Sequence, residues 1–272
     1  MTFSHLPSPS RGCIAGAPPL DTAPLPPLPV QPAPPPPAPA APASIDIYLG
    51  NGCFWERQWA YYVVETDRGR PFGRPADNFT AIVGYAGGRR PTNNASEVCY
   101  HSGDARDYST LGHAEVTQVS LDPGRQAAQM RALAADYFSS FVGPNGQRTR
   151  PDAGDIGPAY RSVVGLPGGV RSPLYPTFAA ENIFGMRLVP SVAGGDVDAA
   201  NTVYVYDSHS DALPFWPGEV YHQCHCNFFP SAGMPYPTNY TRDVWTARKL
   251  AGDFVPTGCP EGVFMHPGAM CP

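Results

Sequence analysis

The chain has 272 residues, a formal net charge of −5 and 42% hydrophobic residues. That is enough apolar side chain for a core, and there is no basic cluster to suggest nucleic acid or an anionic membrane as the main partner. No apolar run approaches the roughly 20 residues that span a bilayer, and the N-terminus lacks the basic start and apolar stretch of a secretory signal. The seven cysteines (Cys13, Cys53, Cys99, Cys224, Cys226, Cys259, Cys271) are odd in number and irregular in spacing. This fits a reducing compartment, cytoplasmic or an organelle such as a plastid, better than a secreted disulfide framework.

Residues 1–43 are rich in Pro and Ala, with runs such as Pro34-Pro35-Pro36-Pro37, and predict a disordered or polyproline-II arm. Ordered sequence is expected from Ser44, over 44–272. Ile45-Asp46-Ile47-Tyr48-Leu49 alternates like a strand, and a helix follows Cys53, with Trp55, Trp59, Tyr62 and Val63 at helical spacing. Phe79–Tyr85 and Glu115–Leu121 read as strands, Gln126–Phe141 as an amphipathic helix and Tyr160–Gly165 as a short strand. A helix is expected near Phe178–Leu188 and a last clear strand over Thr202–Tyr206. Beyond it lies a long irregular segment, whose residues 240–272 are expected to form a flexible tail. Strands and helices interleave without internal repeat, which predicts one α+β domain with a mixed sheet flanked by helices.

The segment richest in chemistry is Gly52-Cys53-Phe54-Trp55. Glycine permits a tight exit from the strand, and Cys53 then stands at a helix N-terminus, where free N–H groups favour a thiolate. Taken alone, such a junction also suits a buried structural cysteine. Four further segments bear on the choice: Gly84-Tyr85-Ala86-Gly87-Gly88 with Glu97-Val98-Cys99; Gly112-His113-Ala114-Glu115-Val116; Asp155-Ile156-Gly157-Pro158-Ala159-Tyr160-Arg161-Ser162; and Phe215-Trp216-Pro217-Gly218-Glu219-Val220-Tyr221-His222-Gln223.

In this order, over roughly residues 45–225, the series resembles the peptide methionine sulfoxide reductase family of the A type. The resemblance implies a ferredoxin-like core and reduction of the S epimer of methionine sulfoxide, in proteins or free. Thioredoxin is the implied reductant, and the implied roles are protein repair and the response to oxidative stress. It assigns Cys53 as nucleophile, Glu115 as proton donor to the oxygen, Tyr160 as a second hydroxyl donor and Asp155 as a pocket residue. Phe54 and Trp55 are the expected wall around the S-methyl group, for which aromatic rings are suitable partners. Arg161, His222 and Glu219 are expected in supporting roles. No cofactor and no metal are expected, and the protein is expected to be a monomer.

The match departs in two places. Ala95 stands where the family usually has a tyrosine, and an insertion, Tyr100–Leu111, precedes Gly112. Tyr108 within it is one candidate to return the lost hydroxyl. For the thiol that resolves the Cys53 sulfenic acid, Cys259 and then Cys271 in the Gly/Pro-rich tail are favoured, with Cys224 and Cys226 as alternatives. The cluster His222, Cys224, His225 and Cys226 fits zinc spacing poorly. A weakened sulfoxide-binding protein and a metal-binding scaffold remain as competing readings.

Overall fold

In the computed structural model, the described residues are 43–92, 97–100, 102–141, 150, 152, 154–191, 194–225 and 240–261. All of the proline-rich arm except Ala43, as well as Ala95, Cys226 and Cys271, lies outside them.

Seven strands make one mixed sheet: β1 Ile45–Gly50, β2 Ile82–Ala86, β3 Ala114–Leu121, β4 Val163–Leu166, β5 Arg187–Pro190, β6 Thr202–Asp207 and β7 Trp216–Pro217, in the order β5-β6-β4-β1-β3-β2-β7. The helices are α1 Phe54–Thr66, α2 Gln126–Ser139, α3 Tyr175–Ala180 and α4 Trp245–Leu250. The succession β1-α1-β2-β3-α2-β4, with sheet order β4-β1-β3-β2 and all three pairings antiparallel, is the ferredoxin-like unit. Parallel β6 and β5 extend it beyond β4, and the two-residue β7 caps the β2 edge.

Alternation along the strands fixes the faces. Ile47 and Leu49 of β1, with Val119 and Leu121 of β3, pack in one buried cluster with Tyr61 and Val64 of α1 and with Met130, Leu133, Tyr137 and Phe138 of α2. Tyr48 and Val116, one residue out of phase, join Val163 and Tyr206 in a second cluster. Each fully buried side chain of this kind contributes roughly 1.5–3 kcal/mol. Glu115 is in phase with Val119 and Leu121, so β3 carries its carboxyl to the helix-covered side of the sheet.

The antiparallel register also decides where the motifs meet. Gly50, at the end of β1, pairs with Val163 at the start of β4. Ala86, at the end of β2, pairs with Ala114 at the start of β3. One end of the sheet therefore gathers the ends of β1 and β2 and the beginnings of β3 and β4, where the first four motif segments lie.

Two stretches differ from the sequence expectation. The helix expected near Phe178–Leu188 stops at Ala180. Asn182 then accepts from the Met186 N–H and donates to its carbonyl, Gly185 takes φ +60°, and Arg187–Pro190 leaves as β5 beside β6. The side chain of Asn182 offers the backbone an alternative to helix, which periodicity does not register. Within the expected flexible tail, Tyr240–Val244 forms a π-helical turn that runs into α4. Tyr240, Trp245 and Phe254 are buried against the main core, and the Trp245 indole donates to the Val220 carbonyl at 3.1 Å. Apolar burial outweighs the Gly/Pro content of this segment as far as residue 261. No helix among the described residues is long and apolar enough to cross a membrane.

Candidate active site

Cys53 is the N-cap of α1. Gly52 before it has φ +97°, and a side chain there would meet the Asp155 carboxylate at 2.6 Å, so only glycine suits this turn. The cysteine side chain makes no capping hydrogen bond. Two carboxyl groups from distant segments take the first helix donors instead: the Cys53 N–H donates to Asp155 Oδ2 at 2.7 Å and the Phe54 N–H to Glu115 Oε2 at 3.0 Å. The N–H groups of Trp55 and Glu56 turn toward the Cys53 sulfur. The Gly52 N–H donates to the Tyr160 carbonyl at 3.0 Å, tying the β1–α1 junction to the turn Pro158–Tyr160. Cys53, Glu115, Asp155 and Tyr160 thus share one neighbourhood.

The electrostatics differ from the simplest expectation for a helix-capping thiol. Burial, followed by the charges of Glu115 and Asp155, holds the Cys53 thiol well above its ordinary value, against the pull of the Trp55 and Glu56 N–H groups. Glu115 is 1% exposed, and burial pushes its carboxyl up to about 8, with a further push from Asp155. The Phe54 N–H and the Tyr108 hydroxyl oppose that shift without cancelling it. At neutral pH, then, the resting site holds a thiol beside a protonated carboxylic acid. Protonation of Glu115 also removes one of the charges that oppose a Cys53 thiolate.

The inserted loop supplies hydroxyl groups. Tyr108 donates to Glu115 Oε1 at 3.2 Å, the contact that Tyr108 would need to replace a tyrosine absent at Ala95. Tyr100 was not singled out by any motif, yet its hydroxyl is hydrogen-bonded to that of Tyr160, and burial with the nearby Glu115 keeps it protonated. The Tyr100 ring stacks on Tyr108 at 5.2 Å and on Phe54 at 6.3 Å. Phe54 itself is buried among Val83, Tyr85 and Tyr108, while Trp55 is half-buried and donates from its indole to His222 Nδ1 at 3.0 Å. Of the expected aromatic pair, Trp55 is therefore the one with open surface.

Supporting residues hold this arrangement from behind. Arg161, fully buried, donates to the carbonyls of Gly87 and Pro158. His113 accepts the Gly88 N–H at Nδ1 and contacts the Arg89 carbonyl through Nε2 at 2.9 Å. A side chain at Gly88 would come within 2.5 Å of the His113 ring. The Gly87-Gly88 and Gly112-His113 motifs thus depend on each other sterically. Glu219 accepts from the Tyr85 hydroxyl at 2.6 Å and from the Tyr100 N–H at 2.7 Å.

The cysteines bring the main surprise. Cys259, expected as a free thiol in a mobile tail, is buried and disulfide-bonded to Cys99, with 5.5 Å between Cα atoms. Cys53 and Cys224 are free. Cys224 is fully buried, and burial pushes its thiol up to about 12, a poor starting point for a resolving nucleophile. Among the described residues, the one His/Cys/Asp/Glu group compact enough for a metal is Cys99, Glu219 and Cys259, where the two sulfurs are bonded to each other.

A thiol, a buried acid and neighbouring hydroxyls thus gather at one end of the ferredoxin-like sheet, and the sequence is similar to known proteins. The chain is 28% identical over 177 residues to the peptide methionine sulfoxide reductase MsrA of Pseudomonas aeruginosa PAO1, covering 65% of this chain and 66% of that protein. To MsrA of Nautilia profundicola it is 29% identical over 115 residues, 42% of this chain and 53% of that protein. The chain thus matches less than two thirds of the length of these relatives. No protein-family model matches it. Superposition on the methionine sulfoxide reductase A of Corynebacterium diphtheriae gives a TM-score of 0.43 at 17% identity, over 73% of this chain and 79% of that one, too low to add to the fold description. By its sequence, the chain is similar to proteins of the peptide methionine sulfoxide reductase A type.

Proposed function

We propose that the protein reduces the S epimer of methionine sulfoxide, free or in oxidised proteins, with Cys53 as the nucleophile. The observation that carries this reading is the placement of the buried Glu115 carboxyl beside the Cys53 helix end, held by the Phe54 N–H and the Tyr108 hydroxyl and raised by burial to about 8. Sulfoxide reduction needs a soft nucleophile at sulfur and a proton at oxygen together. Cys53 sulfur bonds to the sulfoxide sulfur as Glu115 delivers its proton to the oxygen, and the carboxylate takes up the thiol proton. Transfer of the hydroxyl to Cys53 releases the thioether. The net change converts thiol and sulfoxide into sulfenic acid and sulfide, with no proton gained or lost. In this reading Tyr160 donates to the same oxygen with Tyr100 hydrogen-bonded behind it, Trp55 offers an apolar surface to the methyl group, and Asp155 fixes the helix end that presents the nucleophile.

The sulfenic acid then condenses with a second thiol, giving a disulfide and water, and a dithiol protein such as thioredoxin restores the enzyme. Cys259 can take this part only after its bond to Cys99 is reduced; the other tail candidate, Cys271, lies outside the described residues. The hydroxyls of Tyr100 and Tyr108 count against the weakened-binder alternative, whose support was a missing donor. The deciding measurement is reduction of S- and R-methionine sulfoxide peptides with dithiothreitol and then thioredoxin. The S epimer should be reduced, and Cys53→Ser should abolish it; normal turnover in that variant would falsify the assignment.

A further inference from the structure

We infer that the Cys99–Cys259 disulfide is a redox-sensitive clamp that holds Tyr100 and Tyr108 against the Cys53–Glu115 site. The inference rests on the functional reading above and adds to it a part for the Cys99–Cys259 bond itself.

The loop between Val98 and Gly112 contributes two of the three tyrosines at the site, and Cys99 sits at its root. The Cys99 N–H donates to the Arg106 carbonyl, and the Tyr108 N–H donates to the Cys99 carbonyl, each at 2.8 Å. Tyr100 follows directly. Cys99 is therefore bonded through its backbone to one active-site tyrosine and is the chain neighbour of the other. At its far end the loop is bonded to the sheet by Tyr108 to Glu115, by the His113 N–H to the Tyr108 carbonyl and by the Arg89 N–H to the Leu111 carbonyl; nearer its root, Arg106 forms partly exposed pairs with Asp104 and Glu97. Pairs of this kind hold little against solvent.

Besides the Tyr108–Glu115 bond, two links near the root of the loop join it to the rest of the fold and close a circuit. In one, the Tyr100 N–H donates to Glu219, whose other oxygen accepts from Tyr85. In the other, Cys99 is bonded to Cys259 across 160 residues of chain. The segment around Cys259 has no regular secondary structure, but Glu261 next to it accepts the N–H groups of Val220 and Tyr221 at 3.2 and 3.3 Å. Val220 and Tyr221 follow Glu219 in sequence, so the disulfide and the Tyr100–Glu219 bond return to the same short turn. Reduction of the disulfide, with two electrons and two protons from an external dithiol, opens this circuit at its one covalent link. The hydroxyl groups then lose their fixed aim. Misplacement of catalytic groups by about an ångström is costly, up to about 100-fold in rate.

The test compares two states of the intact protein: disulfide-bonded, and fully reduced then freed of reductant, each verified by mass mapping of cysteines. Methionine formation is followed in the first turnover, with saturating and with limiting sulfoxide peptide. The disulfide state should react roughly tenfold faster at saturation, and reoxidation of the same sample should restore the rate. Cys99→Ser and Cys259→Ser should both behave like the reduced protein and no longer respond to oxidation. In Tyr100→Phe, reduction should slow the reaction much less than in the wild type, because part of what the clamp aims is already missing. Equal first-turnover rates in the two states overturn the clamp, as does an undiminished effect of reduction in Tyr100→Phe. Equal rates with two methionines formed per reduced chain overturn it in favour of an electron relay through these thiols. A readout independent of sulfoxide is alkylation of Cys53 by iodoacetamide, which should be several-fold faster in the reduced state once the tyrosine loop is loose. If neither form makes methionine but Cys53 alkylation follows the disulfide, the functional reading falls and the clamp stands; if alkylation does not follow it, the clamp falls.

Discussion

The site is assembled from two halves held by different means. Cys53, Glu115, Asp155 and Tyr160 sit at one end of the ferredoxin-like sheet, fixed by register, by the α1 N-terminus and by the buried packing beneath. Tyr100 and Tyr108 come from an inserted loop, fixed by side-chain acceptors and a disulfide. In the proposed mechanism, regular structure positions the groups that make and break bonds, while the loop adds donors that tune them. The first half should fail sharply when a single group is changed, and the second should fail by degrees.

The largest expected effect after loss of the nucleophile is in the sheet half. Glu115→Gln keeps an oxygen for the Phe54 N–H but removes the proton donor, and kcat should fall about 10²–10⁴-fold, the usual contribution of a general acid. The pH profile gives an independent check. Glu115 must be protonated to act, so wild-type kcat should fall as pH rises through about 8, and the residual activity of Glu115→Gln should lack that limb. Stability follows the same proton. The folded carboxyl is raised from an ordinary 4.5 to about 8, so native protein retains a proton that the unfolded chain releases. Stability is full below 4.5 and declines as pH rises to about 8. Thermal melts at pH 9 should therefore favour Glu115→Gln over wild type, and the advantage should vanish near pH 4.

Smaller effects are expected in the loop half. Tyr108→Phe removes one hydrogen bond to Glu115, and Tyr100→Phe one to Tyr160. Each should lower kcat roughly tenfold, as loss of one donor costs about 1–3 kcal/mol, with little change in KM. Tyr108→Phe should also raise the pH at which kcat declines, because the hydroxyl helps to stabilise the Glu115 carboxylate. A loss of 10³-fold in either variant would erase the contrast between the halves.

How much of each half was legible in the sequence follows from the same contrast. Period-two alternation located β1, β3 and β6, and helical spacing located α1 and α2, because their partners are other parts of the same core. The four residues of the sheet half lie in short motifs where the backbone turns at glycines with positive φ, Gly52, Gly112 and Gly157, so steric demand left a mark on the sequence. Tyr100 carries no such mark: its place depends on the Glu219 acceptor more than a hundred residues away and on the Cys99–Cys259 bond. Cysteine spacing does not reveal that pairing, and the Gly/Pro-rich composition around Cys259 suggests a mobile tail. The docking of Tyr240, Trp245 and Phe254 was hidden for a related reason, since isolated aromatics in a short segment make no periodic pattern. The helix expected at Phe178–Leu188 failed where one side chain, Asn182, bonds both polar groups of Met186.

The smallest effect is expected from the loop's visible charges, and it tests what holds the loop. Arg106 bonds Glu97 and Asp104 through its guanidinium, which suggests by eye that the ion pairs fasten the segment. Solvent competes for all three groups, and such pairs contribute little. The structural part of Arg106 is its main-chain carbonyl, which accepts the Cys99 N–H and survives any substitution short of a backbone change. Arg106→Ala should therefore alter first-turnover rate by less than about twofold, and equally little at low and high salt. If the variant instead loses rate about tenfold, or if salt slows the wild type to the same degree, the charges and not the disulfide aim Tyr100 and Tyr108. The loop half would then be a salt-sensitive device on a fixed scaffold, rather than one that answers to the redox state of Cys99 and Cys259.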